Sequence, residues 1–180
     1  MGRVGFRRAT VPDAGAIARL HLASWRDTYR DQLDPAFLET LRLDEWTDDW
    51  RARISTGSTV VLLAEERGRG NQSEPAGALG FCACGPSRDG DAPVGVWEIQ
   101  NLHVDPERQG AGVGGELFRR GLALAVAQGA GTLTLWVVES NDRARRFYER
   151  RGMQLDGGRQ MHHLGPSASL QEVRYRIALG

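Results

Sequence analysis

Residues 97–118 read WEIQNLHVDPERQGAGVGGELF, and the change of pattern inside this stretch decides the fold. Trp97, Ile99, Leu102 and Val104 are apolar at strand-like spacing, but the parity slips by one between Ile99 and Leu102. A β-bulge inserts one residue and frees backbone groups from the ladder, which gives such a slip. A strand covered on both faces does the same, and both readings stay open at this point. Pro106 follows, and then Gln109, Gly110, Ala111, Gly112, Val113, Gly114 and Gly115 run directly into a helical pattern over 112–128. Glycines let a backbone approach a phosphate closely, and the first N–H groups of a helix favour an anion there. The stretch reads as strand, pyrophosphate seat and helix.

Working outward, Gly5 to Thr10 reads as a first strand. Thr10-Val-Pro-Asp13 is a helix start, with a hydroxyl at the cap, proline in the first turn and an acid three residues on. The helix is predicted from Pro12 to Tyr29, with Ala14, Ile17, Leu20 and Ser24 on one row and His21, Trp25 and Tyr29 on another at spacing four. A short helix around Phe37 to Leu41 and a charged, tryptophan-bearing one from Asp44 to Ser55 come next. Thr59 to Glu65, Ala76 to Cys84 and Val94 to Val104 are strand-like, with a polar segment Arg67 to Pro75 and a turn-rich Pro86 to Pro93 between them, which makes an antiparallel meander. Beyond the central helix, Thr132 to Val138 is a strand, Asn141 to Arg151 a helix stopping at Gly152, and Leu155 to Leu164 and Gln171 to Leu179 closing strands. With no repeat or boundary, residues 4–179 form one predicted domain of mixed β and α structure.

The composition suits an ordinary soluble protein: 41% hydrophobic residues and 23 basic against 23 acidic, so no broad electrostatic pull toward nucleic acid or a membrane surface. All the basic residues are arginine, and lysine is absent. Cys82 and Cys84 stand two apart in a predicted strand, natural for neither a disulfide nor a zinc site, and no metal is expected. No signal-like apolar region and no stretch near the ~18 apolar residues of a membrane span is present, so a cytoplasmic protein with reduced thiols is expected.

The glycines alone leave the nucleotide open. Gly110, Gly112 and Gly115 also satisfy the dinucleotide pattern G-x-G-x-x-G, and Glu139 closes the next strand where a ribose-binding acid would stand. A Rossmann-type enzyme is disfavoured by the Pro106 loop between strand and glycines and by the three meander strands that come first.

The segment from Glu98 through Leu102, Val104, Pro106, Gln109, Gly110, Gly112 and Gly114 to Leu117 resembles the acetyl-CoA-binding motif of the GNAT superfamily of N-acetyltransferases. Gln109, Gly112 and Gly114 match its Gln/Arg-x-x-Gly-x-Gly/Ala signature in register. The run Asn141, Ala144, Phe147, Tyr148, Glu149, Gly152 is similar to the helix after that family's fifth strand, with Met153 where many members have phenylalanine. The resemblance implies a mixed, mostly antiparallel sheet flanked by helices and splayed between the fourth and fifth strands. It implies that backbone groups of Leu102, His103 and Val104 hold the pantetheine arm and that Gln109 to Gly115 hold the pyrophosphate. Asn141, Ala144 and Phe147 would then contact the cofactor, although Asn141 also fits a plain helix cap.

An alkyl amine of pKa ~10.4 costs about 4.6 kcal/mol to deprotonate at pH 7. By the resemblance, Glu98 is the base, directly or through water, and Tyr148 donates to the departing sulfur. No nucleophile set is visible, so direct attack in a ternary complex of acetyl-CoA and amine is expected. His21, Trp25 and Tyr29 would line one wall of the acceptor site, with His162 or Arg159 opposite, although such a stripe also suits a core. A domain that binds acyl-CoA as a sensor, without turnover, is the alternative. Monomer and homodimer are both compatible with the sequence.

Overall fold

The computed structural model describes residues 3–67, 77–164 and 168–180. Its elements run β1 (Arg3–Arg8), α1 (Ala14–Tyr29), α2 (Pro35–Thr40), α3 (Leu43–Thr56), β2 (Val60–Arg67), β3 (Ala78–Pro86), β4 (Val96–Val104), α4 (Val113–Ala127), β5 (Thr132–Val138), α5 (Asp142–Glu149), β6 (Gln154–His163) and β7 (Ser169–Ala178). Apart from Arg67, the predicted polar segment 67–75 lies outside the described residues. The strand order is β1-β2-β3-β4-β5-β7-β6, a mixed sheet in which β4 and β5 are parallel. This is the mixed α/β class expected. The described residues form two compact units, Met1–Cys84 with Asn101–Ala123 and Gly85–Gln100 with Leu124–Gly180, so that β4 and α4 each contribute to both.

In the first unit the predicted helix from Pro12 is divided. Val11–Asp13 is a 3-10 turn, because the Asp13 carboxylate accepts from the Thr10 N–H at 2.7 Å and its hydroxyl at 2.9 Å and holds the chain in a tight entry before α1 begins. Arg7 also donates to Asp13, at 2.7 and 2.8 Å, and holds its carboxyl down at about 2. From Ala14 the row Ala14, Ile17, Leu20 is buried as its spacing requires, against Trp50 of α3 and Val61, Leu63, Phe81 and Ala83 of β2 and β3. Burying a set of this size is the main stabilising term of the unit, at about 1.5–3 kcal/mol for each large apolar side chain.

Gly80 of β3 brings the end of β4 close. A Cβ at Gly80 would stand 2.9 Å from the His103 carbonyl oxygen and 3.0 Å from Leu117 Cδ1, and the Asp105 N–H donates to the Leu79 carbonyl at 2.9 Å. Any side chain at position 80 would push away the strand end from which the glycine turn departs.

In the second unit β5 is the centre. It pairs in parallel with β4 over Val96–Glu98 and Thr132–Thr134, and antiparallel with β7 from Thr132↔Ala178 to Val138↔Glu172. The parallel ladder thus takes only the first three residues of each strand. Leu133, Leu135 and Val137 of β5 share one face with Val173 and Tyr175 of β7, and Tyr148 of α5 and Met153 are buried with them. Thr134 and Trp136 point to the other face, where the 86–93 segment lies: Trp136 Nε1 donates to Asp89 at 2.9 Å, and Arg174 donates to Asp89 and Asp156, both at 2.8 Å. Glu98 and Ile99 are adjacent in β4 yet 1% and 3% exposed, so at this point the strand is covered on both faces, one of the two readings its pattern left open.

Candidate active site

The candidate groups divide between the two units. In the first, Asp105 closes a 3-10 turn over Pro106–Arg108, its side chain accepting from the Glu107 N–H at 3.0 Å. Gln109 follows in extended conformation, with its amide 3.4 Å from the Val104 carbonyl. Gly110 and Gly112 then take φ of 85° and 83°, the left-handed region that a side chain disfavours. A Cβ at either would meet nothing within 4 Å, so the turn demands glycine for backbone conformation and leaves its outer side open. The Gly112 carbonyl accepts from the Glu116 N–H at 3.1 Å, which makes it the first hydrogen-bonded carbonyl of α4. The N–H groups of Val113, Gly114 and Gly115 therefore have no intrahelical acceptor. A cap residue ordinarily supplies one with a side-chain oxygen, and glycine has none. Exposed Ala111 adds no competing acceptor. Glu116, the only acid of the first turn, is taken up by Arg119 and Arg120 at 2.6 and 2.7 Å, and the Arg119 guanidinium foremost holds its carboxyl at about 2.

Leu102, His103 and Val104 are half-buried. The His103 ring turns toward α1: its Nδ1 is 2.9 Å from Ser24 Oγ, and its centroid is 4.4 Å from His21 and 5.4 Å, stacked, from Phe81. Burial lowers its pKa to about 4, so it is neutral at pH 7. Of the predicted acceptor wall, His21 and Tyr29 are buried and Trp25 is half-buried, its ring 4.8 Å from Tyr29 and 5.8 Å from Trp46. His21 Nδ1 accepts from Trp50 Nε1 at 3.3 Å, so its proton is on Nε2, which has no partner among the described residues. Burial pushes this imidazole well below its ordinary value.

In the second unit Asn141 caps α5, its side-chain oxygen accepting from the Ala144 N–H at 3.0 Å. The capping role the sequence left open is therefore occupied. Phe147 is half-buried beneath the Arg151 guanidinium, 3.5 Å from its ring centroid, while Tyr148 turns inward, 8% exposed and edge-on to Phe147 at 5.2 Å. Of the opposite acceptor wall, His162 Nδ1 meets Glu172 at 3.1 Å and Arg159 pairs with Glu139 at 2.7 Å.

Glu98 is 1% exposed and engaged by one residue that sequence reasoning missed. Its Oε2 accepts from the Arg88 backbone N–H at 3.0 Å and from Arg88 Nε at 3.3 Å, and its Oε1 accepts from Arg88 Nη2 at 2.6 Å. Three of roughly four acceptor positions on this carboxylate are filled. Also missed was Tyr175, wholly buried, whose hydroxyl donates to Glu149 at 2.6 Å and accepts from Arg145 Nε at 3.2 Å. Burial foremost raises its pKa.

The profile of the acetyltransferase (GNAT) family matches residues 18–153, three quarters of the chain and all of the β4–turn–α4 and β5–α5 segments. The chain belongs to this family. Among its relatives is an uncharacterized N-acetyltransferase of Bacillus subtilis (strain 168), YuaI, 29% identical over 77% of this chain and 73% of its own length. The fold matches that of solved structures: a PaiA N-acetyltransferase from Thermoplasma acidophilum in complex with coenzyme A, with a TM-score of 0.70 at 15% identity over 98% of this chain and 99% of the other, and a GNAT family acetyltransferase from Brucella melitensis in complex with acetyl-CoA, with a TM-score of 0.64 at 23% identity over 100% and 90%. Within the matched range the chain carries a glycine turn whose first helical N–H groups lack intrahelical acceptors, and a β4 carboxylate closed by an arginine. The turn was readable because its residues are consecutive. Arg88 gave no such signal, since a spacing of ten across an irregular segment matches no helix or strand period. The one hint was the turn-rich run between two strands, which closes on itself through the Ser87 N–H and Val96 carbonyl at 3.0 Å.

Proposed function

We propose that this chain is an N-acetyltransferase that moves the acetyl group of acetyl-CoA to a primary amine by direct attack. The observation that carries the reading is the start of α4, where left-handed Gly110 and Gly112 lead into three N–H groups that have no intrahelical acceptor, beside an open side. That arrangement suits the pyrophosphate of the coenzyme, and the CoA and acetyl-CoA bound to the Thermoplasma and Brucella proteins fit the same chemistry. Leu102, His103 and Val104 hold the pantetheine arm by their backbone. The His103 side chain, anchored on Ser24, keeps that backbone in place.

The attacking amine must be neutral, and Glu98 takes its proton, directly or through one water. Tyr148 donates to the sulfur as it leaves. A phenol of pKa ~10 giving its proton fully to a thiolate of pKa ~8.5 is uphill by about 2 kcal/mol, so hydrogen-bond donation to growing charge is the role assigned. A second reading, acyl-CoA binding without turnover, draws on one observation: the Glu98 carboxylate is already engaged by Arg88.

Acetyl-CoA at 100 times its dissociation constant is expected to stabilise the protein by about 2.7 kcal/mol in a thermal scan. Thiol release with a panel of primary amines then separates enzyme from binder. Tyr148→Phe is expected to lower kcat tenfold or more with acetyl-CoA affinity unchanged. Stabilisation without thiol release on any amine would establish the binder, and loss of affinity in Tyr148→Phe would make the hydroxyl a binding contact.

A further inference from the structure

We propose that the Arg88 guanidinium occupies the seat of the acceptor's ammonium group, so that an incoming amine must displace it from Glu98 before transfer. This rests on the reading of Glu98 as the proton acceptor, and it adds a specificity-determining residue to that reading.

Three features of the second unit lead there. The first is asymmetry of exposure: the Glu98 side chain is 2% exposed and that of its partner Arg88 60%. The pair is a buried anion reached from the solvent side by a cation that can withdraw into water. The second is that the backbone around Arg88 is pinned independently of its guanidinium. The Ser87 N–H bonds the Val96 carbonyl at 3.0 Å, and Asp89 is held by Trp136 Nε1 at 2.9 Å and Arg174 at 2.8 Å. The Arg88 N–H itself stays on Glu98 Oε2 at 3.0 Å. Withdrawal of the side chain therefore releases Oε1 while Oε2 keeps its backbone donor, and the carboxylate remains oriented with one oxygen bare.

The third is the chemistry of the occupant. The Arg88 Nη2 contact with Oε1, at 2.6 Å, is that of a charge-assisted bond from a cationic nitrogen, as a substrate ammonium would make it. A guanidinium is never deprotonated near neutral pH, so it fills the seat without reacting. A lysine there would be an acceptor, and this chain has no lysine at any position. An occupied seat lowers the apparent affinity for the acceptor in proportion to the fraction of molecules in which it is open. The site thus selects cationic primary amines that can compete for a carboxylate and discriminates against neutral nucleophiles.

Arg88→Lys tests this with the protein alone. The introduced ammonium loses one proton to Glu98 Oε1, its nitrogen forms the new bond to the acetyl carbon as the carbon–sulfur bond breaks, and the departing thiolate takes the second nitrogen-bound proton to leave as CoA thiol. Peptide mass mapping after incubation with acetyl-CoA is expected to find one acetyl group at position 88, absent from the parent, and formed 10²-fold or more slowly when Glu98→Gln is added. The lysine-free background leaves the α-amino group as the only other primary amine. If Arg88→Lys releases thiol with propylamine yet stays unmodified at position 88, the seat is elsewhere and this proposal is overturned while the transfer reading stands. If neither parent nor variant releases thiol with any amine, both fall. Should Arg88→Lys fail to fold, Arg88→Gln provides the second arm: KM for propylamine is expected to fall about tenfold with kcat kept, and an unchanged or higher KM overturns the proposal.

Discussion

Among the described residues of the first unit, the fully buried polar side chains are neutral. His21 and Ser24 are buried and His103 half-buried, with ring contacts from Trp46, Trp50 and Phe81 to the two imidazoles. On the face of the second unit that carries the 86–93 segment, the enclosed acids are each held by a partner: Glu98 by Arg88, Asp89 and Asp156 by Arg174, Glu172 by His162 with Gln160. A neutral imidazole among aromatic rings has little solvation to lose, and it resists acquiring charge. A carboxylate taken out of water must keep its counter-charge, and loses much if one partner goes. The first arrangement makes a scaffold that holds a strand end still; the second makes a place where charges can be exchanged.

The largest expected effect lies in the scaffold. Trp50 is 1% exposed, packs edge-on to Phe81 at 5.0 Å and donates to His21. Trp50→Ala should cost about 3–5 kcal/mol in a urea titration, since it opens a cavity and also leaves His21 Nδ1 unpaired. A loss under about 1 kcal/mol would show that the aromatic cluster is not the core of that unit.

Acid should come next, and it should act on the scaffold. The folded pKa of His103 is lowered from 6.5 to about 4, and that of His21 is lowered as well. A depressed histidine binds its proton less readily folded than unfolded, so its contribution is fully present above pH 6.5 and is lost as pH falls from there toward 4. His103 alone should account for about 2–3 kcal/mol over that window. Unfolding free energies at pH 7, 5.5 and 4 should fall in the parent and fall less in His103→Gln. Parallel pH curves for the two proteins would remove His103 from the account.

The smallest effect, of opposite sign, belongs to the charged face. Glu172 foremost raises the pKa of His162. A raised histidine contributes below its unfolded value and stops contributing as pH rises through its folded one. The His162 side chain is 45% exposed, so its pairing is worth under about 1 kcal/mol. His162→Ala should lower Tm slightly at pH 5.5 and leave it unchanged at pH 8.5. An equal loss at both would mean packing, not charge, and would erase this half of the contrast.

The glycine turn, the elements on either side of it and the buried row of α1 were all legible from residues consecutive in the chain or one helical turn apart, because capping, left-handed glycine and helical spacing are local in origin. The acceptor-wall stripe was less so. Its spacing of four is the same whether His21 meets a substrate or a core, and what buries it is Trp46 and Trp50 arriving from α3. The slip in β4 was visible, but the covering of both its faces at Glu98 and Ile99 depends on what packs there.

What the sequence by itself determined is the order of the elements and a helix start stripped of its own caps, since each depends on backbone conformation and on side chains near one another in the chain; the mixed sheet followed from the family resemblance. Only the tertiary structure decided that Gly80 must lack a side chain beside His103, that Tyr175 ties Glu149 to Arg145, and that Glu98 stands closed by Arg88. Each of these joins segments that strand pairing brings together, and the energy of a buried charge or of a backbone contact at 2.9 Å depends on the group across the gap, which no local pattern encodes.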